Sequence, residues 1–421
     1  MKRFIAACVV MGLLLTIVPA TKSQEPSSPT TITLWNIYTS DNVLSEPFAA
    51  LIDNFNNSQN EYFIEAIALQ NEEFKNQIIL AVDSDTQPDV FFTWGGGTLQ
   101  EFVDKGAVRE IKELDGELGE RFIPASFSTS TFDGKHYALP LSLATVTMVV
   151  NPGLFEAHNL ELPSNWDSLL KACEVFNEAG ITPISFANSE KWLGSHWFSY
   201  LVTRLGGVDE FADAANREGI GFDDPVFVEA GEKLRELVDA NCFTPDFMSA
   251  SFSNRDDTRP VAQGQAAMML GGNWVFATLQ EEGPDLYDEL QVMPFPAILD
   301  DTDAMTGMVG GTSDAYAISW KAPPETERVL IELFTSQAYL DMQFDLNIFS
   351  AIIGAEIEDH LLAQASALLS EASTLQLFYD QVLPRNLALA HLDTTTALFT
   401  GDMTPEEAAQ TMETVAEALQ D

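Results

Sequence analysis

The sequence predicts an α/β protein of two lobes facing one cleft, and three observations carry that expectation. Residues 88–97 read PDVFFTWGGG, an apolar run closed by a tryptophan and three glycines. Residues 266–274, AAMMLGGNW, repeat the plan in the second half of the chain. Around each, strand-like and helix-like stretches alternate. Val90, Phe91 and Phe92 form too short a run for a typical helix and suit a strand buried on both faces of a parallel sheet. The glycines let the backbone turn sharply, so Trp94 and Gly95 fall at the C-terminal edge of a sheet, where open α/β folds place ligands. For either segment alone, the competing reading is a core tryptophan ahead of a turn.

The elements follow in order. ITLW at 32–35 reads as a strand, and Leu44, Phe48, Leu51, Ile52 and Phe55 as one face of a helix. Tyr62 to Leu69 is rich in strand formers. Phe74, Ile78, Ala81 and Val82 mark a second helix, and the DVFF strand closes a parallel βαβαβ set. Asp133-Gly134-Lys135 is a turn, and the β-prone run Ala144 to Val150 opens a second lobe. Asn165 offers a cap for a helix from Trp166, Ile181 to Ala187 is strand-like, and Phe227, Ala230, Leu234, Leu237 and Val238 share a helix face. The last helix starts at Thr404-Pro405-Glu406-Glu407, a capping box with proline in its first turn.

At 421 residues the chain exceeds one ordinary core. Lys2 and Arg3 followed by the apolar run Phe4 to Val18 and the small residues Val18-Pro19-Ala20 predict a cleaved signal peptide over 1–20. A polar, Pro/Ser-rich linker over 21–30 follows. An exported, soluble protein is therefore expected. In an oxidising compartment Cys173 and Cys242 could pair. Cys173, however, falls on the apolar stripe Trp166, Leu169, Leu170, Phe176, which favours a small core residue.

Sixty-four acidic residues oppose 20 basic ones, a formal net charge of −44 that loss of Lys2 and Arg3 makes more negative still. Such a surface repels nucleic acid and acidic membranes. It also suits a saline habitat, because salt screens self-repulsion. The chain carries no GxSxG, P-loop or HExxH signature, and its five histidines are scattered, so neither a cofactor nor a metal site is expected.

The tryptophans say more. Trp166 and Trp320 read as structural. Trp35, Trp94, Trp192, Trp197 and Trp274 fall at or near strand ends or loop starts, where cleft walls form. Flat aromatic rings cover the apolar faces of sugars while polar neighbours take the hydroxyls. Such neighbours are present: Asn36 and Asp41 after the first strand, Asn188 and Lys191 beside Trp192, and Asn273 beside Trp274.

ITLW at 32–35, QPDVFFTWGGG at 87–97, DGKHYALP at 133–140, VNPGLFEAHNLELPSNWDSLL at 150–170, GQAAMMLGGNW at 264–274 and GGTSDAYAIS at 310–319 together resemble the family 1 extracellular solute-binding proteins, the sugar receptors of ABC importers. The resemblance implies the class II periplasmic-binding-protein fold. Its first lobe would span 31–142 plus about 295–338, and its second about 143–294 plus 339–421. It also implies that Trp94 stacks on sugar in one lobe and Trp274 in the other, that Gly310 and Gly311 bring backbone near the ligand, and that permease subunits are the partner of a monomeric receptor. Where maltose-type receptors place an acidic group after Pro140, this chain has Ala144, which argues against maltose itself. Two other readings compete: an exported glycoside hydrolase, which product release would reveal, and a receptor of the same fold for a non-sugar solute. Several cleft tryptophans favour sugar, since a charged solute needs opposing charges.

Overall fold

The computed structural model describes residues 28–299 and 307–420. The expected signal peptide and residues 21–27 of the linker lie outside them, and Thr30 already belongs to the first strand. The strands of the two main sheets, in chain order, are β1 (Thr30–Asn36), β2 (Tyr62–Ala68), β3 (Val90–Thr93), β4 (Ala138–Pro140), β5 (Leu143–Val150), β6 (Thr182–Ser185), β7 (Ala266–Gly272), β8 (Gln291–Met293), β9 (Met308–Thr312), β10 (Ala315–Ile318) and β11 (Leu375–Gln376). The helices that matter to the site are α1 (Ser45–Ser58), α2 (Asn71–Asp83), α3 (Gly96–Asp104), α4 (Trp166–Ala179), α5 (Trp192–Gly206), α6 (Pro225–Asp239), α7 (Gln337–Asp345), α8 (Tyr379–Val382), α9 (Arg385–Thr400) and α10 (Pro405–Ala418).

Two main sheets form among the described residues. The first runs β2-β1-β3-β10-β4, with β1 parallel to β2 and β3, and β10 antiparallel to β3 and β4. All four residues of β3 are buried, as a continuous apolar run requires of a central strand. The second runs β11-β9-β5-β7-β6, with β8 also on β5. Side-chain alternation divides β5 between two cores. Val146, Met148 and Val150 pack with α4, α5 and α6, whereas Leu143 and Val149 join a separate cluster with Phe276 and Tyr287.

Helix ends follow their sequence signals. Asn165 and Ser168 form a reciprocal capping box at α4, and Thr404 and Glu407 form another at α10. The Asp133-Gly134 turn joins two short paired strands, both residues having positive φ.

The lobe boundaries differ from those expected. Strand β9 pairs with β5, and Phe295 packs on Trp197 and Tyr200, so Phe295 and Met308–Thr312 sit with the second sheet. The chain returns to the first sheet at Ala315. Tyr339 and Met342 of α7, with Ala351, then pack in the first core and not the second. Three crossing segments lie side by side. Leu143 N–H donates to the Phe349 carbonyl (2.8 Å), Ala351 N–H to Leu141 (3.0 Å), Leu141 N–H to Asp314 (2.8 Å) and Ser313 N–H to Ser142 (2.9 Å). This small ladder marks where the chain crosses between the lobes.

Cys173 and Cys242 are joined in a disulfide that ties α4 to the segment after α6. Both are fully buried, so the core position expected for Cys173 and the pairing hold together. Trp166 is structural, its indole donating to Glu236 at 2.7 Å. Trp320 is not a core residue: it is 54% exposed and donates to Asp85.

Candidate cleft between the lobes

A cavity of about 430 Å³ lies between the lobes, within the range of small-molecule sites. Its first-lobe wall comes from the ends of β1 and β3 and from α2. Trp94 stands directly after β3, half-buried, with Phe92 and Phe74 edge-on at 4.8 and 6.1 Å. Lys75 of α2 places its ammonium 5.3 Å from the Trp94 ring centroid and binds Glu72 at 2.7 Å. At the crossing segments, Asp314 accepts from the Tyr38 hydroxyl at 2.9 Å, and burial holds its pKa above the ordinary carboxylate value.

The second-lobe wall is an aromatic cluster. Trp192, the first residue of α5, meets Phe252 at 4.9 Å and Trp274 at 6.0 Å. His196, one turn further along α5, lies 5.8 Å from Trp274 and 5.1 Å from Phe378. Trp274 follows β7, and Gly272 makes room for its ring, since a Cβ there would stand 2.0 Å from the indole. Burial, with lesser pushes from His391 and Lys75, drives the His196 pKa down to about 3, so the ring is neutral.

Polar atoms without hydrogen-bond partners gather among these lining residues: the indole nitrogens of Trp192 and Trp274, Nδ1 of His196, one oxygen of Asp380 and the amide oxygen of Gln381. Asp380 and Gln381 belong to α8. Burial raises the Asp380 pKa to about 6 against the opposing pull of Lys75. Donors and acceptors set among flat rings are what a polyhydroxylated ligand would satisfy. Glu190 also lines the cavity, but its oxygens are committed to Ser189, Ser251 and the amides of Phe252 and Ser253. Two contacts bridge the rim: Gln70 to Ser253, and Arg255 to the Asp41 carbonyl, both 2.8 Å.

Of the residues singled out in the sequence, Asp41, Trp94, Gly95, Trp192 and Trp274 line this cavity. The others are placed elsewhere. Trp197 is wholly buried against Phe243 and Phe295. Five residues beyond Trp192 on one helix, it lies about 140° around the axis and faces the lobe core. Asn36 folds its side chain back to the Tyr38 amide, a local turn. Asn188 accepts from the Gly194 amide and fixes the start of α5. Asn273 bonds the Thr145 amide and the Leu143 carbonyl, tying the end of β7 to β5. Lys191 turns to Asp393 on α9. Gly310 and Gly311 lie in β9. A Cβ on Gly310 would stand 2.4 Å from the Ala144 carbonyl, so close strand pairing explains that glycine.

Sequence reasoning missed Lys75, His196, Phe252, Phe378, Asp380, Gln381 and Arg385, all of which line the cavity. Most come from helix starts or short segments with no local signature. A faint signal lay in Arg385 itself: a cation in the first turn of α9 opposes the helix dipole, which suggests a role outside the helix.

Among the described residues no group of three or more His, Cys, Asp or Glu side chains could hold a metal ion, and no helix is long and apolar enough to cross a membrane.

Fold and cleft together define a two-lobed solute-binding protein. The chain belongs to the bacterial extracellular solute-binding protein family, whose profile matches residues 41–339. Among its relatives, the maltotriose-binding protein of Pyrococcus abyssi is 22% identical over 56% of this chain and 48% of its own. The diacetylchitobiose-binding protein of Streptomyces coelicolor is 20% identical over 63% and 60%. The chain spans about half the length of the first curated relatives it matches. A structure from work on xylan utilization by Caldanaerobius polysaccharolyticus superposes with a TM-score of 0.85 at 27% identity, covering 91% of this chain and 99% of that one. A chitin oligosaccharide binding protein gives 0.83 at 19% identity, covering 93% and 99%, a likeness of fold.

Proposed function

We propose that the protein is a carbohydrate receptor of an ABC importer, exported to the periplasm with its signal peptide removed near Thr21. It binds a sugar or oligosaccharide, has no chemistry of its own, and works as a monomer with permease subunits in the inner membrane. The observation that carries this reading is the placing of aromatic rings from both lobes, Trp94 on one side and Trp192 and Trp274 on the other, around one cavity with unpartnered polar atoms. Ligand bridging the two walls stabilises the closed arrangement, and closure presents both lobes to the permease as one surface. The buried disulfide agrees with an oxidising compartment.

Calorimetric titration with mono- and oligosaccharides, maltotriose and diacetylchitobiose included, tests the proposal. Saturable binding at one site is expected. Binding of an amino acid or metal ion instead, or release of new reducing ends from a glycan, would replace the reading. Site residues proposed for the sugar are Asp41, Trp94, Gly95, Trp192 and Trp274, joined by Asp380 and Gln381.

A further inference from the structure

The three glycines after Trp94 do more than leave the tryptophan uncovered. Gly95 and Gly96 have φ of +78° and +63°, and the Gly96 amide donates to the Thr129 carbonyl at 2.6 Å within the first lobe. On the opposite side the first turn of α3 meets backbone of the second lobe. A Cβ on Gly96 would stand 2.1 Å from the Gln381 carbonyl oxygen, and one on Gly97 2.1 Å from that of Leu383.

Those carbonyls cannot readily swing away. The Val382 and Leu383 amides donate to Phe378 and Tyr379, while Tyr379 and Leu383 are buried in the second-lobe core. The rim contacts Gln70–Ser253 and Arg255–Asp41 run through long side chains, which can let go or adjust. Backbone against backbone is the rigid contact of the three.

We infer that Gly96 and Gly97 are positioning residues that set how far the lobes close, their bare backbone letting α8 carry Asp380 and Gln381 onto the cavity that Trp94 lines. The inference rests on the receptor reading above, in which the lobes open and close. Gly97 isolates the effect. Its backbone lies outside the left-handed region, and the three atoms nearest to an added Cβ all belong to Leu383 and Pro384 of the other lobe. Within α3, alanine is the better helix former. Gly97→Ala therefore suits the free first lobe and obstructs only its closure.

The test uses the mature protein carrying Gln70→Cys and Ser253→Cys, with Cys173 and Cys242 already joined. The rate at which a short bis-maleimide links the two new thiols reports the closed population without any ligand. Gly97→Ala is expected to slow linking about tenfold and, in the protein without the added cysteines, to weaken by about the same factor any oligosaccharide the parent binds. The melting temperature of the free protein should hold or rise. Gly116→Ala, whose Cβ would meet only the Glu113 carbonyl at 3.8 Å, should leave all three unchanged. An unaltered linking rate in Gly97→Ala overturns the inference, and so does a fall of several degrees in melting temperature, which would make the contact ordinary packing. If neither maltotriose nor diacetylchitobiose binds the parent, the linking rates still decide the role of Gly97, and the sugar reading alone is weakened.

Discussion

The ammonium of Lys75 lies 5.3 Å from the ring centroid of Trp94, held there by Glu72 at 2.7 Å. The cation occupies one side of the indole, and Phe92 and Phe74 close on it edge-on. A sugar ring in the cavity would stack on what remains, so the exposed part of Trp94 is small and fixed in direction.

Trp94→Ala and Trp274→Ala should each weaken sugar binding by about 1–3 kcal/mol, the range for losing one aromatic contact surface. At 1.4 kcal/mol per decade this is roughly five- to 150-fold in Kd, read by calorimetry. Cooperative unfolding should survive in both. Trp197→Ala should do the reverse, costing about 3–5 kcal/mol of stability from a filled core site. Equal loss of stability in Trp94→Ala would place that residue in the core.

Stability should fall as pH rises through a window set by two buried carboxyls. Burial raises Asp257 from 3.8 to about 7, with Glu190 and Glu282 adding to it, and raises Asp380 from 3.8 to about 6. The folded state keeps these protons while the unfolded state has released them. The benefit is therefore complete below the unfolded value and lost as pH passes the folded one. Asp257→Asn should flatten the slope in thermal melts between about pH 4 and pH 7. Asp380→Asn should flatten its lower part and also weaken sugar binding.

Removing the disulfide should cost about 4 kcal/mol, since Cys173 and Cys242 stand 69 positions apart in the chain. Cys173→Ala and Cys242→Ala are expected to have nearly the same effect singly and together in denaturant titrations. Additive losses would show that the two positions contribute packing and not a covalent link.

Added sodium chloride should raise the melting temperature. With a formal charge of −44, self-repulsion is large, and at about 1 M salt the screening length falls to roughly 3 Å. A flat response would mean that local pairs such as Lys105 with Asp83 and Glu101 already balance the field.

The fold was legible because its strands are short buried runs between amphipathic helices, as at β3 and β7. Trp94 and Trp274 were legible for the same reason: glycines beside a strand end mark a sheet edge. Trp192 and Trp197 were read alike because a loop start was expected where α5 already begins, and only the helical angle separates cleft from core. Asn36, Asn188 and Asn273 look like ligand donors in sequence. Each spends its side chain on nearby backbone amides, a use that spacing does not reveal. Asp380 and Gln381 reach the cavity from a four-residue helix placed by tertiary packing, so no local pattern could announce them. The return to the first sheet was set too early because nothing local shows that Met308–Thr312 pairs with β5.

The crossing of the chain between the lobes has a consequence for biogenesis. Strand β3 is flanked by β1 and β10, yet β10 begins only at Ala315, after most of the second lobe's sheet has been specified. A chain that formed its first sheet before then would carry Val90, Phe91 and Phe92 on an open, apolar edge, a site for misassembly until Tyr316 and Ala317 arrive. The first core is complete only with Ala351, and the second still awaits Phe378 to Ala416. A holding chaperone that covers such an edge during synthesis would serve this topology better than one that promotes early collapse.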